Sequence, residues 1–218
     1  MKEEDALAKG INLEALKEEQ MKLSKLVDIK DAFDFKNATR FAAIVVETLK
    51  TKELIAGIAI LDEEMKLVED KYIIQKAKFP YIPGFRAYRE LPLMLSVLEK
   101  IEEGPDVIFI LGQGISHQLR LGIASHLGVS INKPTIGITQ SMVNGEEKGD
   151  TVRMNGKVVA KKLQTKEKSR PIYISPGHMI TLKTAVEVTK RCLKELHKLP
   201  EPIVFARKTL SRVSEEFR

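Results

Sequence analysis

The chain reads as an α/β protein built on one mixed sheet, an antiparallel meander followed by parallel strands, with helices on its flanks. Three observations carry that reading. Short apolar runs separated by polar turns crowd the first third of the sequence, as in a meander. Later apolar runs alternate with helix-length segments, as strands joined by crossovers do. No repeat, low-complexity tract or linker interrupts the 218 residues, which are read as a single domain, 1–218. At 43% hydrophobic, a chain of this length can bury one sizeable core.

The elements follow in order. Asn12 is an N-cap for a helix with Leu13, Leu16, Leu23 and Val27 at helical spacing. Phe41 to Val46 is a buried strand, the turn Lys50-Thr51-Lys52-Glu53 leads into a second at Leu54 to Leu61, and Lys66 to Ile74 is a third. Pro80-Tyr81-Ile82-Pro83 is a stiff ledge, because proline holds φ at about −65° and pushes the preceding residue into extended backbone. A helix is predicted over Glu90 to Glu103, with Pro92 in its first turn and Gly104 ending it. Asp106 to Leu111 is a continuous apolar run, as expected of a strand covered on both faces. Gly112-Gln113-Gly114 breaks it, a helix runs through His126, and Pro134 to Ile138 is another buried strand. Asn155-Gly156, between Thr151–Met154 and Lys157–Leu163, signals a type I′ hairpin. Pro171 to Ser175 is a strand, and Ser175-Pro176-Gly177-His178 leads into a helix starting near Thr181, or at Thr184 with Glu187 as a capping box. The tail from Pro200, with Arg207, Lys208 and Arg212, reads as a short basic helix.

Composition narrows function only coarsely. Lys and Arg total 36 against 30 acidic residues, a net charge of +6, which suits a polyanionic partner. The single Cys192 excludes an internal disulfide and fits a reducing cytoplasm. No apolar run reaches the roughly 18–20 residues of a membrane span, and Met1-Lys2-Glu3-Glu4-Asp5 is no signal peptide.

The sharpest motif is Phe79-Pro80-Tyr81-Ile82-Pro83-Gly84-Phe85-Arg86-Ala87-Tyr88-Arg89-Glu90. A rigid aromatic beside cations suits a protein that works on unstacked bases. The motif resembles that of the endonuclease V family. Leu121-Gly122-Ile123-Ala124-Ser125-His126-Leu127-Gly128 with Pro134-Thr135-Ile136-Gly137 is similar to the family's central block. Ser175-Pro176-Gly177-His178 and Leu199-Pro200-Glu201-Pro202 are similar to its C-terminal signatures. The resemblance implies a ribonuclease H-like fold, Mg²⁺-dependent cleavage on the 3′ side of deoxyinosine or inosine in DNA or RNA, and a pocket for the flipped base, hence a role in nucleic-acid repair or processing.

Cleavage of a phosphodiester by water needs metal ions held by carboxylates. By resemblance the ligands are an Asp on the first strand, the Glu ending the ledge motif and an Asp ending the central strand, assisted by a His and a Lys. Glu90 matches the Glu, His117 the assisting His, and His126 and His178 the family's other histidines. The central Asp falls on Leu111, the Lys on Gln140, and the first-strand Asp on Ile44 or Val45, unless a shorter turn brings Glu47 into its place. The Pro-Arg that usually follows the His is Gln118-Leu119. Glu90 with Glu47 is a thin cage for Mg²⁺, which takes hard oxygen ligands. Asp106 is no substitute, lying about 16 Å from Leu111 along a strand.

The site expected from these readings has Tyr81 as wedge and Gly84 with Gly112, Gln113 and Gly114 as base pocket. Arg86, Arg89 and the basic tail with Arg207, Lys208 and Arg212 are phosphate clamps, His126 and His178 further substrate contacts, Glu90 and His117 catalytic groups, and Glu90 and Glu47 metal ligands. Each has a plainer reading: Tyr81 packed under its own loop, the arginines solvated, Glu90 favouring a helix dipole, His126 a core histidine and His178 a cap. The leading expectation is a protein that recognises deaminated bases with cleavage impaired. An active Mg²⁺-dependent endonuclease is one alternative, and a partner-binding protein that keeps only the fold is another.

Overall fold

A computed structural model describes residues 10–142 and 144–216. The Met1–Asp5 segment, read above as no signal peptide, lies outside the described residues. The meander forms as the spacing predicts: β1 (Phe41–Thr48), β2 (Leu54–Leu61) and β3 (Leu67–Gln75) pair antiparallel in sequence order. β4 (Val107–Leu111) lies parallel to β1, and β5 (Thr135–Thr139) parallel to β4. The order β3-β2-β1-β4-β5 is the ribonuclease H-like plan.

The sheet continues past it. β9 (Ile172–His178) pairs antiparallel with β5, and β8 (Lys157–Leu163), β7 (Thr151–Met154) and β6 (Glu146–Lys148) follow, giving nine strands among the described residues. Asn155 and Gly156 both have positive φ, at 50° and 74°, as a type I′ turn between β7 and β8 requires. The strand expected to end at Ser175 runs on through Pro176-Gly177-His178 before the helix that Thr181 caps, and Pro176 tolerates it because a register shift in the β5–β9 ladder falls between Thr135 and Ile136, beside it.

Helices cover both faces. α2 (Arg86–Leu98) and α3 (Ile123–Ile131) bury Ala87, Leu91, Met94, Val97, Ala124 and Leu127 against Ile44, Ile58, Ile108 and Ile110. On the opposite face α4 (Leu182–Arg191) and α5 (Glu201–Glu216) bury Ala185, Val188, Ile203, Ala206 and Leu210 against Ala43, Val45, Phe109 and Ile136. α5 is thus a 16-residue core helix and not a short tail. α2 begins four residues before the predicted start, which places Pro92 inside it. Its Phe85 N-cap makes no side-chain bond, so no capping residue marks that start in the sequence. The segment after Gly114 becomes helical only at Ile123, after a run of turns. Thr181 caps α4, accepting from the Thr184 N–H at 3.2 Å, which decides between the two starts. No helix among the described residues is long and apolar enough to cross a membrane.

α1 (Leu13–Ser24), capped by Asn12, lies against the ledge. Leu13 packs with Ile82 and Phe85, and Gln20 Nε2 donates to the Gly84 carbonyl at 3.0 Å. These anchors bury the ledge on one side only.

Candidate functional site

Two connected hollows lie outside the carboxyl ends of β4 and β5, the place where open sheets of this kind take ligands. The larger, about 430 Å³, is bounded by Tyr81, Pro83 and Gly84 of the ledge and by Gly112, Gln113 and His117 after β4. Gln20, Arg86, Gln118, Thr139 and Asn144 are among its other walls. The smaller, about 300 Å³, has Val45, Leu111 and Ile138 as its apolar lining and Glu47, Arg86, Gln140 and Arg207 as its polar groups. Arg86, Gly112 and Thr139 line both, so Arg86 stands at the junction.

The ledge orients Tyr81 by alternation. Ile82 is buried beneath α1, so its neighbour Tyr81 faces out, 61% exposed. Gly84 has φ +83°, a conformation that favours glycine, and a Cβ there would lie 3.4 Å from Gln118 Nε2. The glycines of the next turn serve a different need. A Cβ on Gly112 would meet Ile123 and approach Arg86 Nη1 to 3.2 Å, and one on Gly114 would fall on the Pro176 carbonyl. They let the chain pack on itself, holding the turn through Gly114 N–H to Ser175 Oγ at 2.8 Å and Ile115 N–H to the Pro176 carbonyl at 2.8 Å. Gln113 reaches the Ser116 carbonyl at 2.9 Å from the same turn.

His117 is buried beside the cleft, and its Nδ1 accepts from the Leu119 N–H at 3.3 Å. Burial lowers its pKa from the usual imidazole value, opposed in part by the Gly84 carbonyl. It can therefore stand neutral at the cleft, with Nδ1 taken up as acceptor and Nε2–H left as the donor.

Arg86 does not reach freely into solvent. Its Nε donates to Glu90 Oε1 at 2.7 Å and its Nη1 to the Leu111 carbonyl at 2.8 Å. Glu90 is 8% exposed, and its Oε2 has no hydrogen-bond partner among the described residues. Arg89 is tied down too, donating to the Phe79 carbonyl at 2.8 Å, so it braces the ledge and does not line either hollow.

The remaining expected residues are not brought together. Strand alternation sets Glu47 on the face of Ala43 and Val45, whereas Glu90 comes from α2 on the face of Ile44. His126 sits in α3 with its ring edge-on to Tyr88, 5.6 Å between centroids, and burial lowers its pKa. His178 Nδ1 accepts the Asp28 N–H at 3.1 Å. Neither histidine lines a hollow. Asp106 caps the far end of the sheet, accepting from the Thr39 and Arg40 amides at 2.7 and 2.9 Å.

A divalent ion does not fit this donor set. Mg²⁺ takes hard oxygens in near-octahedral geometry, but Val45 and Leu111 give only hydrocarbon here, and Arg86 occupies one Glu90 oxygen. Among the described residues no group of three His, Cys, Asp or Glu side chains could hold a metal. No site role is expected from the sequence for Gln20, Thr139 or Asn144, which come from distant elements and belong to no motif. Of the basic tail expected to grip phosphates, Arg207 lines the smaller hollow, whereas Lys208 and Arg212 do not.

The Endonuclease V family profile matches residues 6–208. The Endonuclease V of Trichormus variabilis is 42% identical over 165 residues, 72% of this chain and 74% of that protein. That of Rippkaea orientalis is 39% identical over 210 residues, 92% of this chain and 90% of that protein. Among solved structures, Ciona intestinalis Endonuclease V in complex with a 24mer DNA containing an inosine followed by a ribo-adenosine superposes with a TM-score of 0.86. It is 26% identical and covers 94% of this chain and 99% of that one. With its profile matched over nearly the whole length and its ledge, glycine turn and strand order in place, the chain belongs to the endonuclease V family.

Proposed function

We propose that this protein recognises deaminated bases, inosine foremost, in DNA or RNA, as part of nucleic-acid repair or processing, and that its hydrolytic step is impaired. The observation that carries the reading is the 430 Å³ cleft between an outward Tyr81 and the Gly112–Gly114 turn. It is large enough for one extruded base, and a ring on a stiff ledge can hold the gap left in the stack. The inosine-containing DNA bound to the Ciona intestinalis relative supports the choice of base. Gly84, Gln113 and Asn144 supply backbone and amide groups suited to a base edge, and neutral His117 can donate to it through Nε2–H. The apolar residues Val45 and Leu111, where hydrolysis would need carboxylates, support the impaired step. One sheet carrying all the main helices supports a single domain, and a lone buried Cys192 supports a cytoplasmic setting.

Active cleavage has one observation in its favour, the buried and unpartnered Glu90 Oε2. End-labelled single-inosine DNA and RNA oligonucleotides, incubated with Mg²⁺ or Mn²⁺ and also run on a native gel, separate the readings. Inosine-dependent retention without cutting is expected. A cut near the inosine that disappears in Glu90→Gln would overturn the impaired step, and equal retention of unmodified oligonucleotides would overturn recognition.

A further inference from the structure

We infer that Arg86 and Arg207 form a phosphate site in the smaller groove, gripping the nucleic-acid backbone where a divalent ion would otherwise neutralise it. This rests on the binding reading above and adds the group that recognises the phosphate.

The groove carries two guanidiniums over an apolar floor. Arg86 is held by Glu90 and the Leu111 carbonyl through Nε and Nη1, which leaves Nη2 without a partner among the described residues. Arg207 comes from α5, and its Nε is buried without a hydrogen-bond partner. Among the described residues Arg207 makes no ion pair, although neighbouring Arg212 pairs with Asp70 at 2.7 Å and Lys208 lies over the Phe205 ring. With no ion pair of its own, the part of the Arg207 guanidinium that lines the groove is open to an oxyanion lying there. Guanidinium donors in a fixed fork match phosphate oxygens, and a site fixed before binding loses little entropy on binding. Because Arg86, Gly112 and Thr139 line groove and cleft alike, a base in the cleft brings its own or the adjoining phosphate to the groove. Glu47 lies in the same groove and opposes the anion.

Fluorescence anisotropy with labelled single-stranded inosine oligonucleotides tests the site. Affinity should be equal in EDTA and in Mg²⁺ at matched ionic strength. Arg207→Gln, which has no protein partner to lose, should weaken binding and lower the slope of log K against log salt by about 0.7, one single-strand phosphate contact. Arg86→Lys, which keeps a charge beside Glu90, should weaken binding by losing the fork. Glu47→Gln should tighten binding. Binding that needs Mg²⁺, or that weakens in Glu47→Gln, overturns the site, as does an unchanged slope in Arg207→Gln. Mn²⁺ electron paramagnetic resonance showing an ion bound by wild type and released in Glu90→Gln would overturn it as well. Loss of inosine preference with the Arg207→Gln slope change intact would sink the recognition reading and leave this site standing.

Discussion

Arg86→Leu removes the one positive charge in contact with Glu90, and the cost can be worked from the geometry. The Glu90 side chain is 10% exposed and would keep a carboxylate with neither oxygen paired. Breaking a fully buried ion pair costs about 3–5 kcal/mol. The Arg86 side chain is 36% exposed, so water screens the pair and brings its share to about 2 kcal/mol. The Leu111 carbonyl loses its donor for about 1 kcal/mol more. The total, about 3 kcal/mol, corresponds to a fall in Tm of about 6–12 °C for a chain of this size. Arg86→Leu/Glu90→Leu removes both charges and should recover about 2 kcal/mol of that loss, since a pair replaced by packed apolar groups is close to neutral. Urea and thermal unfolding of the wild type, both single variants and the double variant, followed by circular dichroism, close the cycle. A double variant no more stable than Arg86→Leu would refute the reasoning, because the carboxylate would then not be what the guanidinium compensates.

Tyr81→Ala should leave stability within about 0.5 kcal/mol, because the ring is exposed, but weaken inosine-oligonucleotide binding by about 1–3 kcal/mol of lost stacking; anisotropy and thermal unfolding run together show whether the two effects separate. Gly114→Ala drives a methyl into the Pro176 carbonyl and should cost about 3 kcal/mol or more. Gly156→Ala meets nothing within 4 Å and should cost only about 1 kcal/mol of backbone strain at φ +74°; equal urea midpoints for the two would contradict the packing account. Burial lowers the pKa of His117, His126 and His178. The unfolded chain therefore binds protons that the folded chain resists, so stability is complete above about pH 6.5 and declines as pH falls below it. Unfolding midpoints that stay level from about pH 7.5 to pH 5 would contradict that sign.

The meander and the hairpin were legible because their signals are local: apolar runs of strand length bounded by polar turns, and Asn155-Gly156 at a two-residue turn. What escaped the sequence was set by distant partners. β9 extends through Pro176 because β5 beside it carries a register shift there, which no residue in Ser175–His178 signals. α5 reads as basic, but its Ile203, Ala206, Leu210 and Val213 stripe is core, and the arginines lie on the remaining surface. The same split runs through the site. Tyr81 and Gly84 could be placed from two prolines and a glycine, whereas Arg86 and Arg89 read as equivalent cations three residues apart. Only the structure separates them, giving one a place between hollows and the other a ledge carbonyl.

The lack of a metal cage among the described residues and the position of Arg86 have one physical explanation. Several carboxylates at the end of a sheet repel one another unless a cation lies between them. Here that repulsion is slight, since Val45 and Leu111 line the groove with hydrocarbon, Glu47 is its one carboxylate, and Glu90 from α2 has a guanidinium against it. Gly112 is what permits that contact, because a side chain there would crowd Arg86 Nη1. The Arg86–Glu90 pair is therefore nearly neutral within itself, which leaves Arg207, without an ion pair among the described residues, facing Glu47 in the groove. Restoring a carboxylate by Leu111→Asp alone should not assemble a metal site, since Arg86 stands ready to pair with it as it does with Glu90. Mn²⁺ should bind only when Arg86→Leu is added, and tight Mn²⁺ binding by Leu111→Asp alone would show that the guanidinium yields its place to a metal.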